Sequence, residues 1–586
     1  MPTVEGARKR LVRAARELAG LPADGAEPDR EHVTGVVEVV LPRQLVGWVS
    51  VPADAPPTRV DLYVGRVRLS STYANPDVPM VGVSHQVGRD RGWTFPRVKG
   101  SVPGPRGDNR HSREQVRSFA FRIGGIWDYA RRGTKVSVRV GEQWLPISGH
   151  GMWVSPSRRG ELTPTDLEAR LAEGWVLSQM GDVQLSKRHD RQWQADVIGI
   201  YDRVRAIFAE TFGYDLFVVY GTLLGAVREG GFIAHDADFD AAYISREGDG
   251  AAASEELTAI GIALIEAGFK VHCMVACLHV IDPADPENRI DIFHTYFDGA
   301  EPRRWRLPFG IAGTSTLTSA DWRGTEEVAL GAHRVLAPVA GEEVVRHLYG
   351  DDWRLPKPGF NWSLERTDAA TEGAFTPEQR SRIYWSDFYA RHGYQAGSSF
   401  SEFMLAFPGS PHDVVDIGCG DGRDACAFAA AGHQVTGVDQ AVVGIEHAAK
   451  RAAELGLPVS FATCDVADRD QLGAVLRSAR DGEAPMTFYL RFLLHAISED
   501  AQTMLLDTIE ECARPGDLFA AEFRTDQDAA QVKVHGKHFR RFQSAAAFRA
   551  DLEDVRGWRI EHFEEGSGLS PYQDEDPVLA RVVARR

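Results

Sequence analysis

Residues 34–73 alternate apolar and polar positions in short runs: VTGVVEVVLP, then VGWVSVP, then RVDLYVGRVRL. Val60, Leu62 and Val64 fall on one face of an extended segment, because successive strand side chains point to opposite sides. KVSVRV and WLPI repeat the pattern at 135–147, with Pro and Gly between the runs. Short strands punctuated by turn residues predict an antiparallel β-sandwich. The period then changes. TPTDLEARLAEG (163–174) and QWQADVIGIYDRVRAIFAETFG (192–213) carry apolar residues at helical spacing, and Thr163 or Thr165 would cap the first. FVVYG at 217–221 reads as a buried strand running into a Gly-Thr turn. Polar residues 363–380 read as a linker. Beyond it, residues 414–452 follow the order strand, glycine-rich turn, helix, strand, acidic residue, the pattern of a doubly wound α/β sheet.

The predicted organisation is therefore multidomain. A helical segment (1–30) precedes an all-β sandwich (31–155), a central α+β domain (156–362), the linker (363–380) and a C-terminal α/β domain (381–586). A chain of 586 residues is too long for one core. Its formal charge, 66 − 83 = −17, disfavours a general nucleic-acid binder, which needs a basic face. Against that acidity, residues 87–117 carry Arg89, Arg91, Arg97, Lys99, Arg106 and Arg110. A surface loop is the favoured reading there, and a clamp for an anionic glycan the alternative. Cysteines 273, 277, 419, 426, 464 and 512 have neither disulfide-framework nor zinc spacing and read as reduced thiols. Residues 1–20 lack an apolar signal core, and no run of about 18 apolar residues occurs. The expected location is cytoplasmic, and a lipid-linked acceptor would be met by peripheral association at the inner membrane face.

Asp236, Asp238 and Asp240 stand at alternate positions in GTLLGAVREGGFIAHDADFDAAYI (221–244). On extended chain they share one face, where their repulsion calls for a counter-ion. Hard carboxylate oxygens suit Mg²⁺, or Mn²⁺, held together with substrate phosphates. Gly221-Thr222-Leu223-Leu224-Gly225, then Arg228, then this cluster resemble the LicD/fukutin family, whose core is nucleotidyltransferase-like. RIDIFHTYF places Asp291 at a later family carboxylate, and Tyr349, Gly350, Trp353 and Pro356 match a closing Y-G-x-x-W-x-x-P element. Many relatives read Trp-Asp-Asp-Asp where this chain has His235-Asp236-Ala237-Asp238. The resemblance implies that Asp238, Asp240 and Asp291 hold the metal and that Asp236 is a further, less firmly matched member. Gly221 and Thr222 would contact phosphate, Arg228 would offset charge on the leaving nucleotide, and Asp291 is also a candidate base.

The second constellation lies at Asp416, Gly418, Gly420 and Gly422, with Asp439 closing the next strand. An NAD fingerprint reads G-x-G-x-x-G, whereas GCGDG reads G-x-G-x-G. The arrangement resembles class I S-adenosylmethionine-dependent methyltransferases, which have a Rossmann-like sheet. It implies a glycine loop beside the methionine moiety, Asp439 on the ribose hydroxyls, Asp465 near the adenine amino group and Val466 beside the ring. YWSDFY (384–389) and Phe400 would form a lid. Arg491 and His495 follow the fourth-motif strand. Arg524 sits in AEFRT, and HGKHFRRF supplies His535, Lys537, His538, Arg540 and Arg541. Arginine's planar fork suits a phosphorylated acceptor. His495 or His538 would help deprotonate a hydroxyl. Ordinary salt bridges are the competing reading for the HFRRF cluster.

Together the two resemblances imply a bifunctional glycan-modifying enzyme. One site would transfer a phospho-substituent, of phospho-alditol or phosphocholine type, from a CDP-linked donor to a glycan or phosphoglycan. The other would methylate an oxygen of that glycan or of its phosphate. Two rivals stand beside this expectation: a methyltransferase with a non-catalytic LicD-like binding module, and a nucleotidyltransferase releasing pyrophosphate.

Overall fold

The structure is a computed structural model that describes residues 34–52, 54–74, 114–156, 160–299, 302–307, 317–356, 373–392, 396–480, 482–531, 533, 539–572 and 575–586. The segment 1–30, most of the basic stretch 87–117, His535, Lys537 and His538 lie outside them. The chain forms two compact units, Met1–Ala253 with Asp285–Ala374, and Ser254–Ala284 with Phe375–Arg586.

The first unit begins with two antiparallel sheets. One has the order Thr34–Leu41, Gln44–Pro52, Glu114–Arg122; the other runs Val67–Ala74, Thr58–Val64, Val136–Val140, Gln143–Trp144. Val60, Leu62 and Val64 are fully buried and join Val37, Leu45, Val49 and Phe119 of the other sheet in one core. Thr163 caps helix Pro164–Ala172 in a capping box with Asp166, with Pro164 in the first turn. Helix Arg191–Ile207 is capped by Asp190 and runs through a wider turn, Phe208–Phe212, to Gly213 at φ 68°.

The mixed α/β part of this unit positions its site. Strand Phe217–Val218 pairs antiparallel with Asp240–Ser245, which runs parallel to Asp285–Phe297. Gly221 and Thr222, expected in a turn, instead occupy the first turn of helix Tyr220–Glu229. Tyr220, at φ 47°, makes the abrupt change from strand to helix. A non-glycine residue in the left-handed region costs about 1–3 kcal/mol, and such strain clusters at functional sites.

The second unit contains a seven-stranded sheet. Its order is Val459–Thr463, Gln434–Asp439, Asp413–Ile417, Met486–Arg491, Leu518–Arg524, Leu579–Arg585, Arg559–Gly566. The first five strands are parallel, and Leu579–Arg585 runs antiparallel to both of its neighbours, Leu518–Arg524 and Arg559–Gly566. Both faces are covered, so consecutive residues of one strand serve different cores. Phe488 and Leu490 pack with Leu505, Phe548 and Trp558, while Tyr489 packs with Phe400, Met404 and Phe428. Phe400 is thus fully buried, its ring stacked 5.0 Å from Tyr489, and is a core residue rather than part of a lid. Helix Pro377–Arg391 starts inside the stretch expected to be linker, fixed by a capping box between Thr376 and Gln379. Among the described residues no helix is long and apolar enough to cross a membrane.

Two candidate active sites

Parallel register sets the first site. Asp240 and Asp291 are direct partners on adjacent strands, so their side chains emerge side by side. The irregular segment 236–239, leading into that strand, brings Asp236 and Asp238 to the same place. Gln179 ties those two together, its Nε2 donating to Asp236 Oδ1 (3.1 Å) and Asp238 Oδ2 (3.0 Å). The Asp238 amide also donates to Asp236 Oδ1 at 3.2 Å. Arg289 bridges the other pair, with Nε 3.1 Å from Asp291 Oδ1 and Nη2 3.3 Å from Asp238 Oδ1.

Gly221 and Thr222 are turned toward Asp240. The Gly221 amide donates to Asp240 Oδ2 (3.2 Å), and Thr222 Oγ1 accepts from the Asp240 amide (2.9 Å). A Cβ on Gly221 would lie 2.2 Å from Asp236 Oδ2, so only glycine lets the helix start approach the carboxylates. Arg228 donates to the Trp353 carbonyl and to Glu229, which ties its helix to the closing Tyr349–Trp353 element. Burial, then the charge of Asp238 and Asp291, pushes the Asp236 carboxyl up to about 7. Burial and the same crowding, led by Asp236, hold Asp240 well above the usual carboxylate range. Tyr349 is raised well above an ordinary phenol by burial and then by the charges of Asp240 and Asp236. His235 is pushed down to about 4 by burial, Arg228 and Arg188, and is neutral at physiological pH. Asp236, Asp238, Asp240 and Asp291 bring hard carboxylate oxygens, the donor type a divalent cation takes, into one region, with the Gln179 amide and the Arg289 guanidinium among them.

The second site is a cavity of about 630 Å³ at the carboxyl ends of the parallel strands. That is the usual ligand position in an open α/β sheet. Gly418, Gly420 and Gly422 have φ 80°, 58° and 73°. A Cβ at Gly420 would lie 2.2 Å from Tyr389 Oη, and one at Gly422 2.7 Å from Ala448 Cβ. The first glycine therefore admits Tyr389 and the second admits a helix. Asp439 accepts from the Gly420 amide (2.9 Å) and the Ala441 amide (2.8 Å). Asp416 Oδ2 is buried with no hydrogen-bond partner among the described residues, and burial next to Asp424 and Asp439 raises its carboxyl well above the ordinary range.

Asp416, Gly418, Asp439 and Val466 line this cavity, as do Tyr384, Trp385, Phe388 and Tyr389 of the YWSDFY stretch. Asp465 is turned to its own loop, accepting from the Ala467 amide at 2.9 Å. Arg491, His495, Arg524 and Arg540 also line the cavity. Two of these arginines already have carboxylate partners. Arg491 pairs with Glu522 (3.1 Å), and Arg524 with Asp528 (2.8 Å) and Glu575 (2.5 Å). Glu522 also binds Arg581 at 2.7 Å, so a chain of buried ion pairs stiffens this wall. Arg541 faces away, donating to the carbonyls of Leu494 and Ile497 and to Gln502. His495 Nδ1 accepts from the Arg524 amide at 3.3 Å. A neutral ring in that bond carries its proton on Nε2, which makes that nitrogen a donor. Phe492, between Arg491 and His495 in the chain, holds φ 57°.

Gln179, Arg289 and Glu522 were not singled out by the sequence. Only Arg289 left a signal there, two residues before Asp291 and so on the same strand face.

The family model described as LicD/FKTN/FKRP, nucleotidyltransferase domain, matches residues 213–302, and one described as methyltransferase domain matches residues 414–516. Among solved structures, the magnesium protoporphyrin IX methyltransferase ChlM from Synechocystis PCC 6803 with bound SAM is 16% identical, covering 36% of this chain and 83% of its own, with TM-score 0.24. A SAM-dependent methyltransferase from Anabaena variabilis is 16% identical over 35% of this chain and 93% of its own, with TM-score 0.28. The glycopeptide N-methyltransferase MtfA, complexed with S-adenosylhomocysteine, is 15% identical over 33% and 90%, with TM-score 0.26. A search of curated proteins returns no match. Residues 213–302 thus form a LicD-family domain and residues 414–516 a methyltransferase domain, joined in one chain.

Proposed function

We propose that the chain is a bifunctional glycan-modifying transferase. Its LicD-family site transfers a phospho-substituent from a CDP-linked donor to a glycan hydroxyl, releasing CMP. The observation that carries this reading is the convergence of Asp236, Asp238, Asp240 and Asp291 from two parallel strands. A divalent cation held by Asp238, Asp240 and Asp291 would neutralise the donor diphosphate. The chain's own groups supply the rest. Gly221 and Thr222 fix Asp240 in place, and the Thr222 hydroxyl keeps a proton to donate to phosphate. Arg228 braces the closing element. Asp236 or Asp291 would take the proton of the acceptor hydroxyl.

The second site methylates an oxygen of the same glycan or of its phosphate. S-adenosylmethionine would supply the methyl group from its sulfonium, held by the glycine loop, Asp439 and the wall at Val466. Arg491 and Arg524, braced by their carboxylates, would orient the acceptor, and Arg540 would meet its charge. The His495 ring would donate a hydrogen bond. A lipid-linked acceptor would be reached from the cytoplasmic side.

The test is a panel of CDP donors and candidate glycans with labelled S-adenosylmethionine, read by product mass. A gain of the phospho-substituent plus a methyl supports both sites. The matched description names a nucleotidyltransferase domain, which favours one rival, activation of an NTP with release of pyrophosphate. Phosphorus NMR separates CMP from pyrophosphate. Absence of turnover with every CDP donor, while methylation persists, would leave the LicD-family domain as a glycan-binding module.

A further inference from the structure

Arg289 is the guanidinium that the structure sets among the four carboxylates of the first site. Its Nε and Nη2 each take one oxygen, Asp291 Oδ1 at 3.1 Å and Asp238 Oδ1 at 3.3 Å. The other Asp238 oxygen is held by Gln179 at 3.0 Å. Both oxygens of Asp238 therefore have protein donors, and a cation that binds there shares those oxygens with them or displaces one. Gln179 is neutral, so a cation does not repel it, and its amide nitrogen also holds Asp236 at 3.1 Å. Arg289 is the cheaper to displace, since its side chain is 44% exposed and water can replace what it gives up. A displaced guanidinium keeps its charge and its planar fork, which fits phosphate oxygens as well as carboxylates. It also starts two residues from Asp291 on the same strand face.

We propose that Arg289 competes with the divalent cation for Asp238 and Asp291 and, once displaced, pairs with the diphosphate of the incoming nucleotide. The inference rests on the phosphotransferase reading. Arg289 then couples the two binding events: metal alone binds against its charge, and metal with nucleotide binds with its help.

The probes are Mn²⁺ alone and Mn²⁺ with CDP, titrated by electron paramagnetic resonance into the full chain. A unit positive charge a few ångströms from a dication, even at the dielectric of water, is worth about tenfold in affinity. Arg289→Gln should therefore bind Mn²⁺ alone about tenfold more tightly than the native protein and bind Mn²⁺–CDP more weakly. Arg289→Lys, which keeps the charge, should stay near native for Mn²⁺ alone. Unchanged amide hydrogen exchange in strand Asp240–Ser245, which lies in the same unit as Arg289, shows that the variants are folded. A purely structural arginine would leave metal affinity unchanged or weaken it on removal, and either result in Arg289→Gln overturns the proposal. If the native protein takes up no Mn²⁺ even with CDP present, the phosphotransferase reading itself falls. Binding by the native protein with no difference in Arg289→Gln overturns only the role of Arg289.

Discussion

Replacing Asp236 with Asn tests the electrostatic account of the first site directly. Its carboxyl is pushed from 3.8 to about 7, first by burial and then by Asp238 and Asp291. The folded protein thus holds this proton more tightly than the unfolded chain does. Stability from the group is whole below about pH 4 and is lost as pH rises through about 7. Each tenfold step in proton affinity is about 1.4 kcal/mol, so the loss across that window is about 4 kcal/mol. If Asp240 carries part of the shared proton, Asp236 accounts for about half of it. Asn keeps the oxygen that accepts from Gln179 and from the Asp238 amide, so the local hydrogen bonds survive the change. Asp236→Asn should therefore be more stable than the native protein at pH 8 in the presence of a chelator, by about 2–4 kcal/mol. The two proteins should converge near pH 4. Hydrogen exchange at the amides of strand Asp240–Ser245 reads this locally, without requiring a single unfolding transition for the whole chain. Adding Mn²⁺ should reverse the order, because the cation stabilises the carboxylate form. Identical pH dependence in the two proteins would refute the reasoning.

Three further outcomes follow from the same geometry. Asp240→Asn should abolish CMP release while S-adenosylmethionine binding stays native; retained CMP release by this variant sinks the site assignment. Gly420→Ala should lose S-adenosylmethionine binding in calorimetry, because its φ of 58° costs a side chain about 1–2 kcal/mol and its Cβ would meet Tyr389 Oη at 2.2 Å. Truncating Tyr389 in the same chain should recover the contact part only. Glu522→Gln weakens the hold on Arg491 and Arg581, which it bonds at 3.1 and 2.7 Å. It should lower the stability of the methyltransferase unit by about 3–5 kcal/mol in denaturant unfolding.

The alternation of Asp236, Asp238 and Asp240 was readable because strand geometry has a period of two. Asp291 was readable because RIDIF resembles a family strand. Gln179 was not readable, since it bonds carboxylates 57 and 59 residues away. Nor was the bond from Arg289 to Asp238, 51 residues back. Phe400 illustrates the opposite failure. Its place near YWSDFY suggested a lid, but helix Ser399–Ala406 packs it against Tyr489 in the core. Arg491 and Arg524 read as available cations because their partners Glu522, Asp528 and Glu575 come from other segments.

The sequence by itself determined which chemistry each half can hold: carboxylates spaced for one strand face, and a glycine loop that closes on an acidic strand end. These are local features, set by backbone periodicity and by what a residue without a Cβ permits. The tertiary structure decided how those groups are charged and held. Register across two parallel strands brought Asp240 beside Asp291, one amide and one guanidinium divided the carboxylates between them, and buried counter-ions turned exposed-looking arginines into a rigid wall. Coulomb energy and desolvation depend on distances through space, so neither can be read from spacing along the chain.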